Sequence, residues 1–124
     1  MKATEKELEI LQIVWKHGAA ISVKGVHEAM GGGEANGYTT ILKLMQIMHD
    51  KGLLTRQKSG KLHLYEAVPT MENARQQILD KMIKTVFQGS ATQLVMSALG
   101  NGKSSKEDLQ EIKKYLEQLE GSKP

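Results

Sequence analysis

Apolar residues recur with helical spacing at the start of the chain and predict a first helix from Glu5 to His17. Thr4 and Glu7 have the spacing of a capping box, in which each side chain bonds the backbone N–H of the other residue. Gly18 follows the last apolar turn and is expected to end the helix. The apolar residues at i, i+3 and i+7 that share its inner face are Leu8, Leu11 and Trp15.

A second, shorter helix is predicted from Val23 to Met30. Ser22 is a favourable N-cap, because its hydroxyl can accept a hydrogen bond from a free backbone N–H of the first turn. Three consecutive glycines at 31–33 end this helix and begin a turn that extends to residue 37. This turn is longer than the turn of the tightest helix-turn-helix motifs.

A third helix is predicted from Tyr38 to Lys51, with Asn36 or Gly37 as its cap and Gly52 directly after it. Methionine at helical spacing is more often core than ligand pocket, so its two methionines are assigned to the core. The apolar face of this helix consists of Ile41, Leu44, Met45 and Met48. The opposite, polar face carries Thr39, Lys43, Gln46 and Asp50.

Two short segments with strand-like alternation follow, at Leu53–Gln57 and Leu62–Ala67. The residues between them, Lys58 to Lys61, are predicted to form the turn of a β-hairpin. Pro69 ends this unit, because proline has no N–H to donate to a strand ladder. Three helices followed by a hairpin are typical of a winged helix-turn-helix domain, which we place at residues 1–69.

The remaining residues, 70–124, predict a helical tail. Thr70 can cap a helix over Met71–Phe87. A short helix is predicted at Ala91–Leu99. A capping box at Ser105 predicts the start of a last helix over Lys106–Leu119. This last helix has a heptad-type apolar seam that can pack on the fourth helix or on a second chain. The seam residues are Leu109, Ile112, Leu116 and Leu119. The expected fold class is mainly α with a small β-hairpin, a winged helix-turn-helix domain followed by a helical dimerisation tail.

Composition excludes several classes of function. The chain has no cysteine and four scattered histidines, so we expect no disulfide, no metal site and no cofactor. No combination of residues has the spacing of a catalytic site, and the protein is not expected to be an enzyme. No apolar run approaches the roughly 20 residues that cross a bilayer, and no signal region follows the charged N-terminus. A cytoplasmic location is therefore expected.

Charge and helical phase together favour DNA as a partner. The net charge is +3, and the excess lies in residues 36–65, where five basic residues accompany one acidic residue. The outer face of the third helix could enter the major groove, where such side chains bond base edges and phosphates. Its candidate DNA-binding residues are Thr39, Thr40, Lys43 and Gln46. Those of the hairpin, which would hold the DNA backbone, are Arg56, Lys58 and Lys61.

Two alternatives stay open on these patterns alone. The polar stripe of the third helix and the charged hairpin turn can be ordinary solvated surfaces. Winged helices also serve as protein-interaction adaptors without sequence-specific DNA binding, and a net charge of +3 does not demand nucleic acid. The order of helices and hairpin is what favours DNA over these interpretations.

Four short segments in this order resemble the penicillinase-repressor family of winged-helix transcriptional repressors. They are residues 7–15 (ELEILQIVW), 26–29 (VHEA), 38–42 (YTTIL) and 51–56 (KGLLTR). The resemblance covers nearly the whole chain. It implies a homodimer that binds a dyad-symmetric operator in double-stranded DNA, with dimerisation through the C-terminal helices. It places DNA contacts at Thr39, Thr40, Lys43 and their neighbours.

The resemblance also shows two departures. Copper-responsive members of the family carry cysteine pairs in the tail, and this chain has none, which excludes copper sensing by that route. Members that respond to β-lactams are cut by a membrane sensor-protease at an Asn-Phe bond, whereas an ungapped match of the tail puts Ser97-Ala98 here. Release by the same cut is therefore not expected, although a sensor-protease with another preference remains compatible with the sequence.

Overall fold

The computed structural model describes residues 2–33 and 37–123. In these ranges the chain forms six helices and one antiparallel two-stranded sheet, which confirms the expected fold class. The elements are α1 (Glu5–His17), α2 (Val23–Ala29), α3 (Tyr38–Asp50), β1 (Leu54–Ser59), β2 (Leu62–Ala67), α4 (Met71–Thr85), α5 (Ala91–Leu99) and α6 (Lys106–Ser122).

The first helix begins and ends where the sequence predicts. The Thr4 hydroxyl accepts a hydrogen bond from the Glu7 backbone N–H at 3.2 Å, and the Glu7 carboxylate accepts one from the Thr4 N–H at 2.8 Å. The predicted capping box is confirmed, and Gly18 is the C-cap. The Trp15 indole N–H donates to the carbonyl of Pro69 at 2.9 Å. This bond attaches the segment between the hairpin and α4 to the body of α1.

The caps of α2 and α3 differ in kind. The Ser22 hydroxyl accepts from the Gly25 N–H at 3.0 Å, as predicted. Gly37 is the N-cap of α3, and the alternative cap, Asn36, lies outside the described residues. Both helices end one residue before the predicted position, since Met30 and Lys51 are their C-cap residues.

The hairpin has a tighter turn than the sequence suggests. β1 extends to Ser59, which pairs with Leu62, so the turn consists of Gly60 and Lys61 alone. Gly60 has a φ of 62°, which glycine adopts at little cost in a two-residue hairpin turn. The predicted turn at Lys58–Lys61 is therefore too long, and Lys58 belongs to the strand.

The core of the N-terminal part joins all three helices to the hairpin. Ile21 exchanges two backbone hydrogen bonds with Tyr65, at 2.9 and 2.8 Å, which adds a short third pairing to the sheet. Tyr65 is only 1% exposed. The buried cluster consists of Ile10, Leu11, Val14, Ile21, Val23, Val26, Ile41, Met45, Met48, Leu53, Leu54 and Tyr65. The assignment of the α3 methionines to the core is confirmed.

The fourth helix stops two residues before the predicted Phe87. After Thr85 the backbone turns, with Gln88 at a φ of 50° and Gly89 at 89°, and the Gly89 N–H reaches the carbonyl of Ile83 at 2.8 Å. Two successive residues with positive φ end a helix, because the right-handed path cannot continue through them. The sequence marks this stop only by Gly89.

Packing divides the chain into two compact units, residues 1–79 and 80–124, and the predicted domain boundary at residue 69 stays a prediction. In the second unit, α5 has the predicted bounds and α6 continues three residues beyond the predicted Leu119, to Ser122. The capping box of Ser105 and Asp108 is confirmed by bonds of 3.0 and 3.2 Å. No side chain of α5 or α6 is buried.

Candidate nucleic-acid interface

The polar face of α3 is open to solvent. Ile41, Met45 and Met48, on the opposite face, are 0% exposed and fix the rotation of the helix about its axis. Leu44, predicted to be buried with them, is only partly so. The residues that the sequence assigns to DNA binding on this helix are all exposed: Thr39, Thr40, Lys43 and Gln46.

The N-terminus of α3 has no side-chain cap, because Gly37 offers no hydroxyl or carboxylate to its free N–H groups. The first N–H groups of a helix have no intrahelical acceptor and carry the positive end of the helix dipole, which suits a phosphate oxygen. The other described helices each begin with a hydroxyl cap: Thr4, Ser22, Thr70, Ser90 and Ser105.

The hairpin presents cations on one of its faces. Arg56 lies opposite Tyr65, and Lys58 lies opposite His63. Directly paired residues, and residues two apart in a strand, share a face. One face of the hairpin therefore carries the buried Tyr65 together with the exposed Arg56, Lys58 and His63. Lys61 lies in the turn. All three predicted hairpin cations are exposed.

A short connection places the hairpin beside α3. Only residues 51–53 separate the two elements, and the Leu53 N–H donates to the carbonyl of Met48 at 2.8 Å. Leu53 and Leu54 are buried with the α3 methionines. The exposed face of α3 and the cationic hairpin are thus attached to one core.

Lys51 belongs to the basic segment but not to this open surface. Its ammonium donates to the Glu7 carboxylate at 2.8 Å and to the carbonyl of Lys2 at 3.0 Å. Burial of Glu7 raises its pKa. The hydrogen bonds from Lys51 and the Thr4 N–H and the positive charge of Lys51 lower it. These interactions outweigh burial, so the pKa of Glu7 lies below its usual 4.5. One of the five basic residues of segment 36–65 is therefore committed to an ion pair inside the fold.

Tyr38 and His27 form a contact that the sequence does not reveal. Tyr38 is the first residue of α3 and is 47% exposed. Its ring lies 6.1 Å from that of His27 on α2, at an interplanar angle of 87°. Helical periodicity relates residues within one helix, so it carries no signal for a pair that spans the turn between two helices.

The described residues contain no group of three histidine or acidic side chains placed to hold a metal ion. Within the same ranges, no helix is both long and apolar enough to cross a membrane.

A groove of about 680 Å³ lies between α1, α2 and β2, with Ile21, Gly25 and Leu64 in its lining. A Cβ on Gly25 would lie 2.8 Å from Cγ1 of Ile21, so the missing side chain lets α2 approach Ile21 closely.

The apolar seam of α6 is uncovered in the second unit. Leu109, Leu116 and Leu119 are 46%, 49% and 43% exposed, and Ile112 is partly buried. Two other apolar side chains of this unit are exposed: Val86, directly after α4, at 66%, and Met96 of α5 at 64%. Apolar side chains exposed along one helix face are typical of a protein-interaction site.

Comparison with known proteins identifies the family. A profile of the penicillinase repressor family matches residues 3–118, nearly the whole chain. The chain belongs to the penicillinase repressor family. The penicillinase repressor of Bacillus licheniformis is 22% identical over 120 residues, which cover 97% of this chain and 93% of that protein. This is a family of transcriptional repressors and not of enzymes, which makes the protein a transcriptional regulator.

The fold agrees with this assignment. A solved structure of a MarR family protein from Bacillus stearothermophilus superposes with a TM-score of 0.56 at 16% identity, covering 98% of this chain and 75% of that chain. That Ser97-Ala98 takes the place of the family's Asn-Phe bond stays a prediction of the sequence. Both residues are exposed and lie in the last turn of α5. The bond is thus held in a helix.

Proposed function

We propose that this penicillinase-repressor family member is a homodimeric, sequence-specific repressor that acts in the cytoplasm on a dyad-symmetric operator. The observation that carries the proposal is the pairing of an exposed polar face on α3 with a cationic hairpin on the same core. In this proposal Thr39, Lys43 and Gln46 bond base edges in the major groove, and Thr40 bonds a phosphate. Arg56, Lys58 and Lys61 hold the backbone beside the groove.

The tail supplies the second half of the proposal. Three leucines of the α6 seam, Leu109, Leu116 and Leu119, are 43–49% exposed in one chain, and Ile112 is partly buried. This exposure supports burial of the seam against a second copy. Two copies related by a twofold axis would place their α3 helices in successive major grooves, about 34–36 Å apart. The operator would then have two half-sites separated by one helical turn.

Selection from a random DNA pool at two salt concentrations tests this proposal. A dyad-symmetric consensus with half-sites about one helical turn apart is the expected result. Binding should weaken steeply with salt, because lysine–phosphate contacts release counterions. No enrichment, combined with salt-insensitive capture of a protein partner, would favour the adaptor function instead.

A further inference from the structure

His27 contacts the residues on both sides of the turn between α2 and α3. At one end, the His27 carbonyl accepts hydrogen bonds from the N–H groups of Met30 and Gly32, at 3.2 and 3.0 Å. At the other end, its ring stands perpendicular to that of Tyr38, the first residue of α3. His27 therefore contacts both the end of α2 and the beginning of the helix that carries the polar face.

The Nε2 atom of the His27 ring is buried, and within the described part of the chain it has no hydrogen-bond partner. An unpaired buried polar atom costs free energy. The edge-to-face contact between the His27 and Tyr38 rings is a weak interaction that offsets part of this cost.

Tyr38 has a ring in contact with His27 and a side chain that is partly open to solvent. Its side chain is 47% exposed although the ring is in contact with His27. It stands in the first turn of α3, beside Thr39 and Thr40. A tyrosine hydroxyl is among the groups that bond DNA phosphates, and an aromatic ring that is already oriented loses little conformational freedom on binding.

We propose that Tyr38 is a further DNA-contacting residue, whose hydroxyl donates to a backbone phosphate oxygen at the edge of the major groove, and that His27 is a positioning residue for its ring. The inference rests on the proposed function, since it needs the α3 face to meet DNA. Tyr38 contributes affinity rather than sequence choice, because phosphates are the same at every base pair.

The test measures affinity for a duplex that carries the sequence selected by the wild-type protein. Tyr38→Phe removes only the hydroxyl and should weaken binding by about three- to tenfold for each half-site of the operator, the range for one hydrogen bond. The same loss is expected on a random-sequence duplex. Tyr115→Phe makes the same chemical change at a tyrosine of α6 that is 59% exposed, and should leave affinity unchanged.

A double-mutant cycle tests the role of His27. His27→Ala should weaken binding about as much as Tyr38→Phe does, and should add little in the Tyr38→Phe background, because both act through one hydroxyl. His27→Phe keeps an aromatic edge and removes the unpaired nitrogen, so it should restore affinity. If His27→Ala fails to fold, the comparison of His27→Phe with Tyr38→Phe carries the test.

The outcomes separate the two proposals. If wild-type protein selects a duplex and Tyr38→Phe binds it equally well, the Tyr38 contact is refuted while the repressor function stands. Equal losses for His27→Ala in both backgrounds would show that His27 acts through the fold in general, and would overturn its positioning role. Failure of the wild type to bind any duplex would overturn the proposed function and this contact with it.

Discussion

Glu7 and Lys51 lie 44 residues apart in the chain, and their ion pair of 2.8 Å joins the first turn of α1 to the end of α3. The same carboxylate caps α1 by accepting the Thr4 N–H. The Glu7 side chain is 2% exposed and that of Lys51 is 36% exposed. One buried group thus secures both a helix end and the position of the helix that carries the proposed DNA surface.

Acid should weaken the fold through Glu7. Its pKa is lower in the folded chain than the usual 4.5, so its contribution to stability is complete above that pH and is lost as pH falls through the folded-state pKa. Glu7→Gln should lower the free energy of unfolding at neutral pH by about 1–3 kcal/mol and flatten this acid dependence. Urea unfolding at several pH values measures both effects.

The matched control is Glu5→Gln, an exposed carboxylate in the same helical turn. We expect it to change stability little at any pH. If Glu7→Gln keeps the acid dependence of the wild type, the ion pair with Lys51 does not have the role described.

A methyl group at Gly25 should destabilise the N-terminal unit. Alanine normally stabilises a helix interior over glycine by up to about 1 kcal/mol. At Gly25 the new Cβ would meet Cγ1 of Ile21 at 2.8 Å, and Ile21 is fixed by burial and by its pairing with Tyr65. Overpacking of this kind costs about 1–3 kcal/mol, so Gly25→Ala should lower the free energy of unfolding.

Gly121→Ala provides the comparison, because a Cβ there has nothing within 4 Å. It should leave the free energy of unfolding unchanged or raise it slightly. A gain in stability for Gly25→Ala in thermal unfolding would mean that Ile21 moves aside easily.

Local rules account for most of the element bounds. The capping boxes at Thr4 and Ser105 locate the starts of α1 and α6, because each depends on side chains only three residues apart. The hairpin turn was less predictable: residues 55–59 are polar and exposed, so they carry no alternation to show that β1 continues to Ser59. α6 passes Leu119 for a similar reason, since the apolar pattern ends before the helix does.

Substitutions of lysines on α3 and on the hairpin should weaken DNA binding in different ways. Lys43→Ala should weaken binding to the selected duplex by about tenfold and binding to random duplex much less, if Lys43 reads a base. Lys58→Ala with Lys61→Ala should weaken binding to both duplexes. It should reduce the salt slope by about 4, since each of the four lysines lost from a dimer neutralises a phosphate. Fluorescence anisotropy titrations at several salt concentrations measure both.

Two control variants remove a lysine that lies outside the proposed DNA surface. Lys114→Ala, at an exposed lysine of α6, should leave the salt slope unchanged. Lys51→Ala should reduce stability while leaving the salt slope near that of the wild type, because Lys51 is bound to Glu7. Wild-type affinity in both the Lys43 and the hairpin variants would refute the assigned DNA surface.

Charges in the α6 seam should separate the dimer. Ile112→Asp with Leu116→Asp would require unpaired carboxylates to be buried at the interface, which is strongly unfavourable. Sedimentation velocity at micromolar concentration should show a monomer, with weak half-site binding to DNA retained. Gln110→Asp with Lys114→Asp introduces the same side chains at exposed positions with the same spacing and should remain dimeric. A monomeric wild type would contradict the proposed role of the tail.

The candidate site was predictable where it depends on one helix and not where it depends on two. The exposed residues of α3 follow from the positions of Ile41 and Met45 alone, because a helix has a fixed angular period. The partner of Lys51, in contrast, lies on α1, and that of Tyr38 lies on α2. Such pairs depend on how helices pack, which neither composition nor spacing encodes.

The bond from the Trp15 indole to the Pro69 carbonyl gives this protein a built-in optical reporter. Trp15 is its only tryptophan, so intrinsic fluorescence excited at the indole comes from this one place. The emission reads the polarity at the point where the hairpin gives way to α4, with no dye attached. Loosening of that junction when DNA binds would appear as a red shift, and an unchanged spectrum would show that the junction stays closed.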